Sequence, residues 1–232
     1  MTKDIPYYCD NEDSNIIRLF VIRHGQTEHN VQKILQGHQD TDLNRTGIAQ
    51  AAKLGDYLEK SNIKFDKVFS SDLKRCKQTI QKVLETSGQA NISVEYCKGL
   101  RERCMGVIEG MHITDAEAYA SKHGKGSFRD FGESPDDFLE RLTSCLGKCI
   151  ADSIAENSQV ANLAVVSHGG AIRTLLRWLH YEEGNAHNII VFNTSVTIID
   201  YFRQTGEFVV RRVGNTQHLG DGEFVVSDLR LR

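Results

Sequence analysis

The segment Leu19-Phe20-Val21-Ile22-Arg23-His24-Gly25-Gln26-Thr27-Glu28-His29-Asn30 holds both a structural and a chemical signal. Leu19 to Ile22 is a short apolar run that reads as a buried strand. It stops at Arg23-His24-Gly25, where glycine permits the sharp backbone turn that ends such a strand. The charged residues therefore sit at a strand's C-terminal tip, the end at which open α/β sheets bind ligands. Arginine beside histidine in that place suits a phosphate monoester, because a guanidinium offers a planar fork of donors and an imidazole can attack phosphorus or donate a proton. By itself the pair equally fits a structural histidine with satisfied hydrogen bonds, so the rest of the chain has to decide.

Composition narrows the choice. A chain of 232 residues is long enough for one sizeable domain. Hydrophobic residues make up 40% and 19 glycines accompany them, an ordinary globular balance that excludes wholesale disorder. A net charge of -3 and a pI near 6.3 argue against a nucleic-acid surface, which would need a clustered positive excess. The six cysteines, Cys9, Cys76, Cys97, Cys104, Cys145 and Cys149, form no CxxC pair and read as reduced thiols rather than a secreted disulfide framework. Cys145 and Cys149 share a helix face and could share a metal, but without a histidine nearby in sequence core packing is the favoured reading. No signal-like N-terminus and no run near the roughly 20 apolar residues of a membrane span are present, so a soluble cytoplasmic protein is expected, with the nucleus left open.

Residues 1 to 17 are polar and acidic without a useful period and are expected to be a loose arm, with 18 to 232 forming a single domain. Beyond the opening strand, Thr46 is the expected cap of a helix to about Lys60, in which Ile48, Ala51, Ala52, Gly55 and Leu58 recur at helical spacing. A strand over Phe65 to Ser70 leads to Ser71, the expected cap of a helix that sets Arg75 in its first turns, where exposed N–H groups favour an anion. Lys74, Arg75 and Lys77 also fit a plain solvated face.

Ile92 to Tyr96 reads as an edge strand, followed by Glu102, whose neighbours Arg101 and Arg103 fit a surface ion pair. Residues 111 to 133 carry one short helix around Thr114 to Lys122. Ser134-Pro135-Asp136-Asp137 is a strong start for a long helix ending near Glu156, with Phe138, Leu142, Cys145, Cys149 and Ile150 on its buried face.

Asn162 to Ser167 repeats the opening design: a strand, then His168, then Gly169-Gly170 opening a helix from Ala171 to about His180. If the two histidine-tipped strands are neighbours, their side chains meet. Ile189 to Phe192, Ser195 to Phe202 and Glu207 to Val213 read as strands, the last two as a hairpin; His180, His187 and His218 have no spacing that demands a site. The alternation of strands and helices implies a mostly parallel sheet covered on both faces.

Arg23-His24-Gly25-Gln26-Thr27-Glu28-His29-Asn30 resembles the RHGxTxxN signature of the histidine phosphatase superfamily, also called phosphoglycerate-mutase-like, at every fixed position. Ser70 to Thr79 is similar to the family's SSDLxRAxQT motif, with Cys76 where alanine is common. Leu100 to Gly110 resembles its LxE…G…EG segment, and Val166 to Arg173 its VSHGGxIR. The likeness runs from about Leu19 to His218 and is nearest to the small broad-range fungal phosphatases.

The resemblance implies a three-layer α/β fold with a mostly parallel central sheet and helices on both faces. It implies a metal-independent phosphatase without cofactor, which hydrolyses phosphate monoesters of small metabolites through a phosphohistidine on His24. Arg23, Arg75 and His168 would surround the phosphoryl oxygens, Glu102 would donate the proton, and Asn30, Gly37 and Gly169 would bind substrate. Glu109 would hold its loop, and residues 111 to 133 would cover the pocket. The partners expected are small phosphorylated metabolites, with neither nucleic acid nor membrane; oligomeric state stays open. Two alternatives remain: a phosphoglycerate mutase, disfavoured because only about thirty residues separate Gly106 from Ser134, and a non-catalytic phosphate-binding scaffold, disfavoured because every expected side chain is present.

Overall fold

The computed structural model describes residue 11, residues 13–181 and residues 190–220. Along the chain come β1 (Ile16–Arg23), α1 (Glu28–Val31), α2 (Arg45–Lys60), β2 (Lys67–Ser71), α3 (Lys74–Thr86), β3 (Val94–Cys97), α4 (Ile113–Lys122), α5 (Pro135–Glu156), β4 (Asn162–Ser167), α6 (Gly169–Trp178), β5 (Val196–Phe202) and β6 (Phe208–Asn215). The described strands form one six-stranded sheet in the order β3-β2-β4-β1-β5-β6. β3, β2, β4 and β1 run parallel, while β5 and β6 are antiparallel additions.

Period-two alternation divides β1 between two cores. Ile17, Leu19 and Val21 join Leu142, Leu146 and Ile150 of α5 and Ile172, Leu175 and Leu176 of α6. Phe20 and Ile22 point the other way, into Ala51, Leu54 and Leu58 of α2 and Ile80, Val83 and Leu84 of α3. Both faces are thus covered, as the continuous apolar run requires. α5 starts as expected, with the Ser134 side chain accepting from Asp137 N and proline in the first turn.

Several local expectations are corrected. Asn44, not Thr46, caps α2, its side chain accepting from Gly47 N; this leaves Gly47 free to pack on the turn after β1, where an added Cβ would lie 2.1 Å from Gln26 O. Ile48 is exposed, whereas Gln50 is buried because its Oε1 accepts from Gln26 N. Residues 190–192 form no strand: the Val191 carbonyl accepts from the Arg23 guanidinium instead of a neighbouring strand, and Ile189 and His187 lie outside the described residues. The arm expected over residues 1 to 17 lies mostly outside them too, but Asn11 is buried and its amide donates to the carbonyls of Ile16 (3.0 Å) and Ala161 (3.1 Å), and β1 begins at Ile16.

Far from the strand tips, a buried ion pair ties β1 to β5. Arg18 donates from Nε to Asp200 Oδ1 at 2.8 Å and from Nη2 to Oδ2 at 3.0 Å, and Arg211 joins from β6. Removing one partner of such a pair leaves an uncompensated buried charge. Asp200→Ala is therefore expected to cost about 3–5 kcal/mol, read as a lower urea midpoint. A cost under about 1 kcal/mol would reduce the pair to the worth of a surface contact.

Candidate active site

The site begins with strand register. β1 and β4 pair in parallel with Arg23 opposite Ser167, and His24 N donates to Ser167 O at 3.0 Å. His24 and His168 therefore leave adjacent strand tips side by side, their ring centroids 5.2 Å apart. Arg75 reaches them from the first turn of α3, almost wholly buried, and donates from Nε to His168 Nδ1 at 3.2 Å.

Hydrogen bonds assign both tautomers. His24 Nδ1 lies 2.7 Å from Gly25 O, and a carbonyl only accepts, so Nδ1 carries the proton and Nε2 keeps its lone pair. In His168 the relation is reversed: Nδ1 accepts from Arg75, so Nε2 carries the proton and donates to Ser71 Oγ at 2.9 Å. Burial, then the charges of Arg75 and Arg23, holds His24 well below the ordinary imidazole range. His168 is lowered in the same way, by burial first and then Arg75, His24 and Arg23. Both rings are neutral. Burial pushes the adjacent Cys76 thiol up to about 12, which keeps it protonated and unreactive.

The remaining donors are fixed by chain segments that the motifs do not contain. Arg75 Nη1 donates to Gln39 O at 2.7 Å and Nη2 to Gly37 O at 2.8 Å. The peptide carrying His24 is gripped from behind: Asn193 Nδ2 donates to His24 O at 2.9 Å and Thr194 N to Arg23 O at 3.0 Å. Thr194 holds this position at a φ of 58°, a left-handed conformation that a β-branched residue takes only under strain. Thr79, inside the second motif, accepts from Gly25 N and donates to Arg75 O.

Glu102 pairs with neither adjacent arginine. Arg101 makes a bidentate pair with Asp72, and Arg103 donates to the carbonyls of Phe131 and Glu133. The Glu102 carboxylate instead sits on the N-terminus of α6, accepting from Gly170 N at 2.8 Å and from Arg103 N at 2.9 Å. A Cβ on Gly170 would lie 2.3 Å from Glu102 Oε1, so only glycine admits the acid here. Glu109 holds its loop as expected, accepting from the backbone N–H of His38 and of Met105.

Ser71 does not cap α3: its hydroxyl accepts from His168 Nε2 at 2.9 Å and, more weakly, from Leu73 N at 3.4 Å, while Leu73 stands at the cap position and Asp40 accepts from Lys74 N. The first N–H of that helix is therefore taken by an internal carboxylate.

All of the expected residues line one cavity of about 1030 Å³: Arg23, His24, Arg75, Glu102 and His168, with Asn30, Gly37 and Gly169. Asn30 also spends its Oδ1 on the capping box of α1. Ile113, Thr114 and Glu117 of α4, with Phe128 and Arg129 beyond it, form a wall from the stretch expected to cover the pocket. Lys33, Arg103, Arg129, Arg173 and Arg177 line the cavity against Glu102 and Glu117, a positive balance suited to anions. The motifs gave no sign of the grip by Asn193 and Thr194 or of the Gln39 and Gly37 carbonyls; Thr79 alone lay within a recognised motif.

Residues 19–216 match the family model of the histidine phosphatase superfamily, branch 1. The chain is similar to the broad-specificity phosphatase YOR283W of Saccharomyces cerevisiae, 68% identical over 232 residues with 100% of each chain covered. Among solved structures it is similar to phosphoglycerate mutase from Bacillus anthracis, with 30% identity and a TM-score of 0.78 over 89% of this chain and 96% of that one. It is also similar to a phosphoserine phosphatase mutant from Entamoeba histolytica in complex with phosphoserine, with 28% identity and a TM-score of 0.68 over 88% of this chain and 99% of that one.

The tautomers and their pH response can be measured. At pH 6.5, the ordinary imidazole midpoint, long-range ¹⁵N spectra should find His24 as the Nδ1–H form and His168 as the Nε2–H form, both neutral. A protonated His24 there would refute the assignment. Since their folded pKa values lie below the unfolded one, the unfolded chain binds these protons first. Their contribution to stability is complete above about pH 6.5 and shrinks as pH falls, a slope that His24→Ala should flatten.

Proposed function

The chain belongs to the histidine phosphatase superfamily, and we propose that it hydrolyses phosphate monoesters of small metabolites with broad specificity, by way of a phosphoryl group carried on His24. The observation that carries this mechanism is the His24 ring itself: neutral, anchored through Nδ1–H to Gly25 O, with the Nε2 lone pair available in a cationic cavity. Phosphatase activity is also what two similar proteins are named for, one a broad-specificity phosphatase and one a phosphoserine phosphatase.

In the proposed reaction His24 Nε2 attacks phosphorus, the P–O bond to the leaving group breaks, and Glu102 gives its proton to the departing oxygen. Glu102, now a carboxylate, takes a proton from water; the resulting hydroxide attacks phosphorus, the P–N bond breaks and the lone pair returns to His24. Arg23 and Arg75 balance the charge spread over the phosphoryl oxygens. His168 orients Arg75 through Nδ1, and no metal enters the scheme.

Glu102 can serve as both acid and base because each oxygen accepts one backbone N–H and keeps a second lone pair for a proton. The cavity volume, near the upper end for small-molecule sites, accommodates leaving groups of varied size. The free thiols of Cys76, Cys97, Cys104, Cys145 and Cys149 suit a reducing compartment, and we assign the reaction to the cytoplasm. Among the described residues no helix is long and apolar enough to cross a membrane.

His24→Ala is expected to abolish turnover and acid-quenched labelling from a phosphorylated substrate; near wild-type activity would refute the nucleophile. Glu102→Gln should slow alkyl phosphates by about 10²–10⁴-fold while affecting nitrophenyl phosphate much less, because only a poor leaving group needs the proton. Equal slowing would remove Glu102 as the acid. Interconversion of 2- and 3-phosphoglycerate faster than phosphate release would identify a mutase instead.

A further inference from the structure

Cys145 and Cys149, one turn apart on α5, are joined by a third sulfur from a different element. Cys97 ends the edge strand β3, and the three Sγ atoms lie within 4.8 Å of one another. We propose that Cys97, Cys145 and Cys149 form a trithiolate site for a thiophilic d¹⁰ cation, Cu(I) or Zn(II), separate from the phosphatase cavity. None of the three lines that cavity.

Geometry favours a metal over the two simpler fates of such a group. A metal–sulfur bond of about 2.3 Å puts the sulfurs of a trigonal or tetrahedral site roughly 3.8–4.0 Å apart, so the cluster needs to contract by less than about 1 Å. A disulfide would draw two sulfurs to about 2.05 Å and leave the third without a purpose. Cys149 belongs to the core beneath α5, and Cys97 and Cys145 pack against that core while staying only half-buried, so the three sulfurs gather at its edge rather than wholly inside it.

The surroundings also hold the three sulfurs together before any ion arrives. A Cβ on Gly99 would sit 2.5 Å from Cys145 Cβ and 2.7 Å from its Sγ, so glycine is what lets the segment after Cys97 close onto α5. One turn before Cys145, Arg141 donates to the carbonyls of Gly99 (2.8 Å) and Arg101 (3.2 Å), fastening that segment from the helix side. An all-sulfur donor set selects soft ions over magnesium or calcium.

The proposal is independent of the phosphatase reading. Reduced full-length protein would be stripped with chelator, then titrated with Zn²⁺ against a chromophoric chelator and, without oxygen, with Cu(I) against bicinchoninate. One tightly bound equivalent per chain is expected, weakened by Cys97→Ser and by Cys145→Ser at least about tenfold, since even loss of an outer hydrogen-bond partner of a ligand costs that much. Circular dichroism and unchanged hydrolysis of nitrophenyl phosphate would certify the fold of each variant. Retention of zinc alone or of copper alone supports the site and names its ion. Binding no tighter than in a Cys97→Ser/Cys145→Ser/Cys149→Ser variant, or unaffected by both single substitutions, overturns it, as does a disulfide forming among the three with no metal retained.

Discussion

Parallel pairing of β1 with β4, in the register that sets Arg23 against Ser167, is the constraint on which the site depends. Side chains alternate along a strand, so a slip of one residue would send Ile17, Leu19 and Val21 into the wrong core and turn the tip away from its partner. Burial on both faces forbids that slip energetically. The apolar sequence that makes β1 a central strand is thus also what aligns two histidines more than a hundred residues apart. Their rings need no flexible loop to find each other.

Once the rings are adjacent, the electrostatics follow from burial. Two guanidiniums beside two imidazoles would be untenable if the imidazoles were charged, and desolvation together with Arg75 and Arg23 keeps them neutral. Neutrality leaves each ring one donor and one acceptor, and the two rings use them oppositely: His24 donates to Gly25 O, whereas His168 accepts from Arg75 and donates to Ser71. Arg75 is in turn pulled toward the carbonyls of Gly37 and Gln39, so its position is set by the loop that rims the cavity. Thr79, which accepts from Gly25 N and donates to Arg75 O, joins the proposed nucleophile's turn and its charge-balancing arginine into one hydrogen-bonded unit.

Much of this could be read from residue order. The strand over Leu19 to Ile22, the Ser134-Pro135 helix start and the repeated histidine–glycine tips rest on local signals, namely apolar runs, caps and turn residues, and each appears where local chemistry puts it. What escaped depends on choices between equivalent local options or on distant partners. Asn44 and Thr46 are both competent caps, and only the packing of Gly47 on Gln26 selects the former. Ser71 looked like a cap because the pull of His168 on its hydroxyl is a tertiary contact. Residues 190–192 are apolar enough for a strand, yet the Arg23 guanidinium takes the Val191 carbonyl that a strand would pair. Cys97 carried no sign of its sulfur neighbours, Cys145 and Cys149, which come only on α5, far along the chain.

The cavity wall is built differently from the floor. Ile108, Ala116 and Phe128, with Leu35, Met105, Ile113 and Phe131 around them, form a small apolar cluster of their own, apart from the two cores that clamp the sheet. The floor residues His24, Arg23, Arg75 and His168 hang on the sheet and its flanking helices, while Ile113, Thr114, Glu117 and Arg129 hang on this separate cluster. On the proposed function, substitutions in the wall would change which leaving groups are admitted while leaving the strand register that aligns the rings in place. Glu102 stands between the two systems: its carboxylate rests on the N-terminus of α6, while its backbone carbonyl accepts from His38 and Arg141 at the rim. Because the proposed acid is anchored by its carboxylate to the helix that β4 feeds, the proposed phosphoryl chemistry and the wall that faces the leaving group rest on separate apolar clusters, and one can be altered without unseating the other.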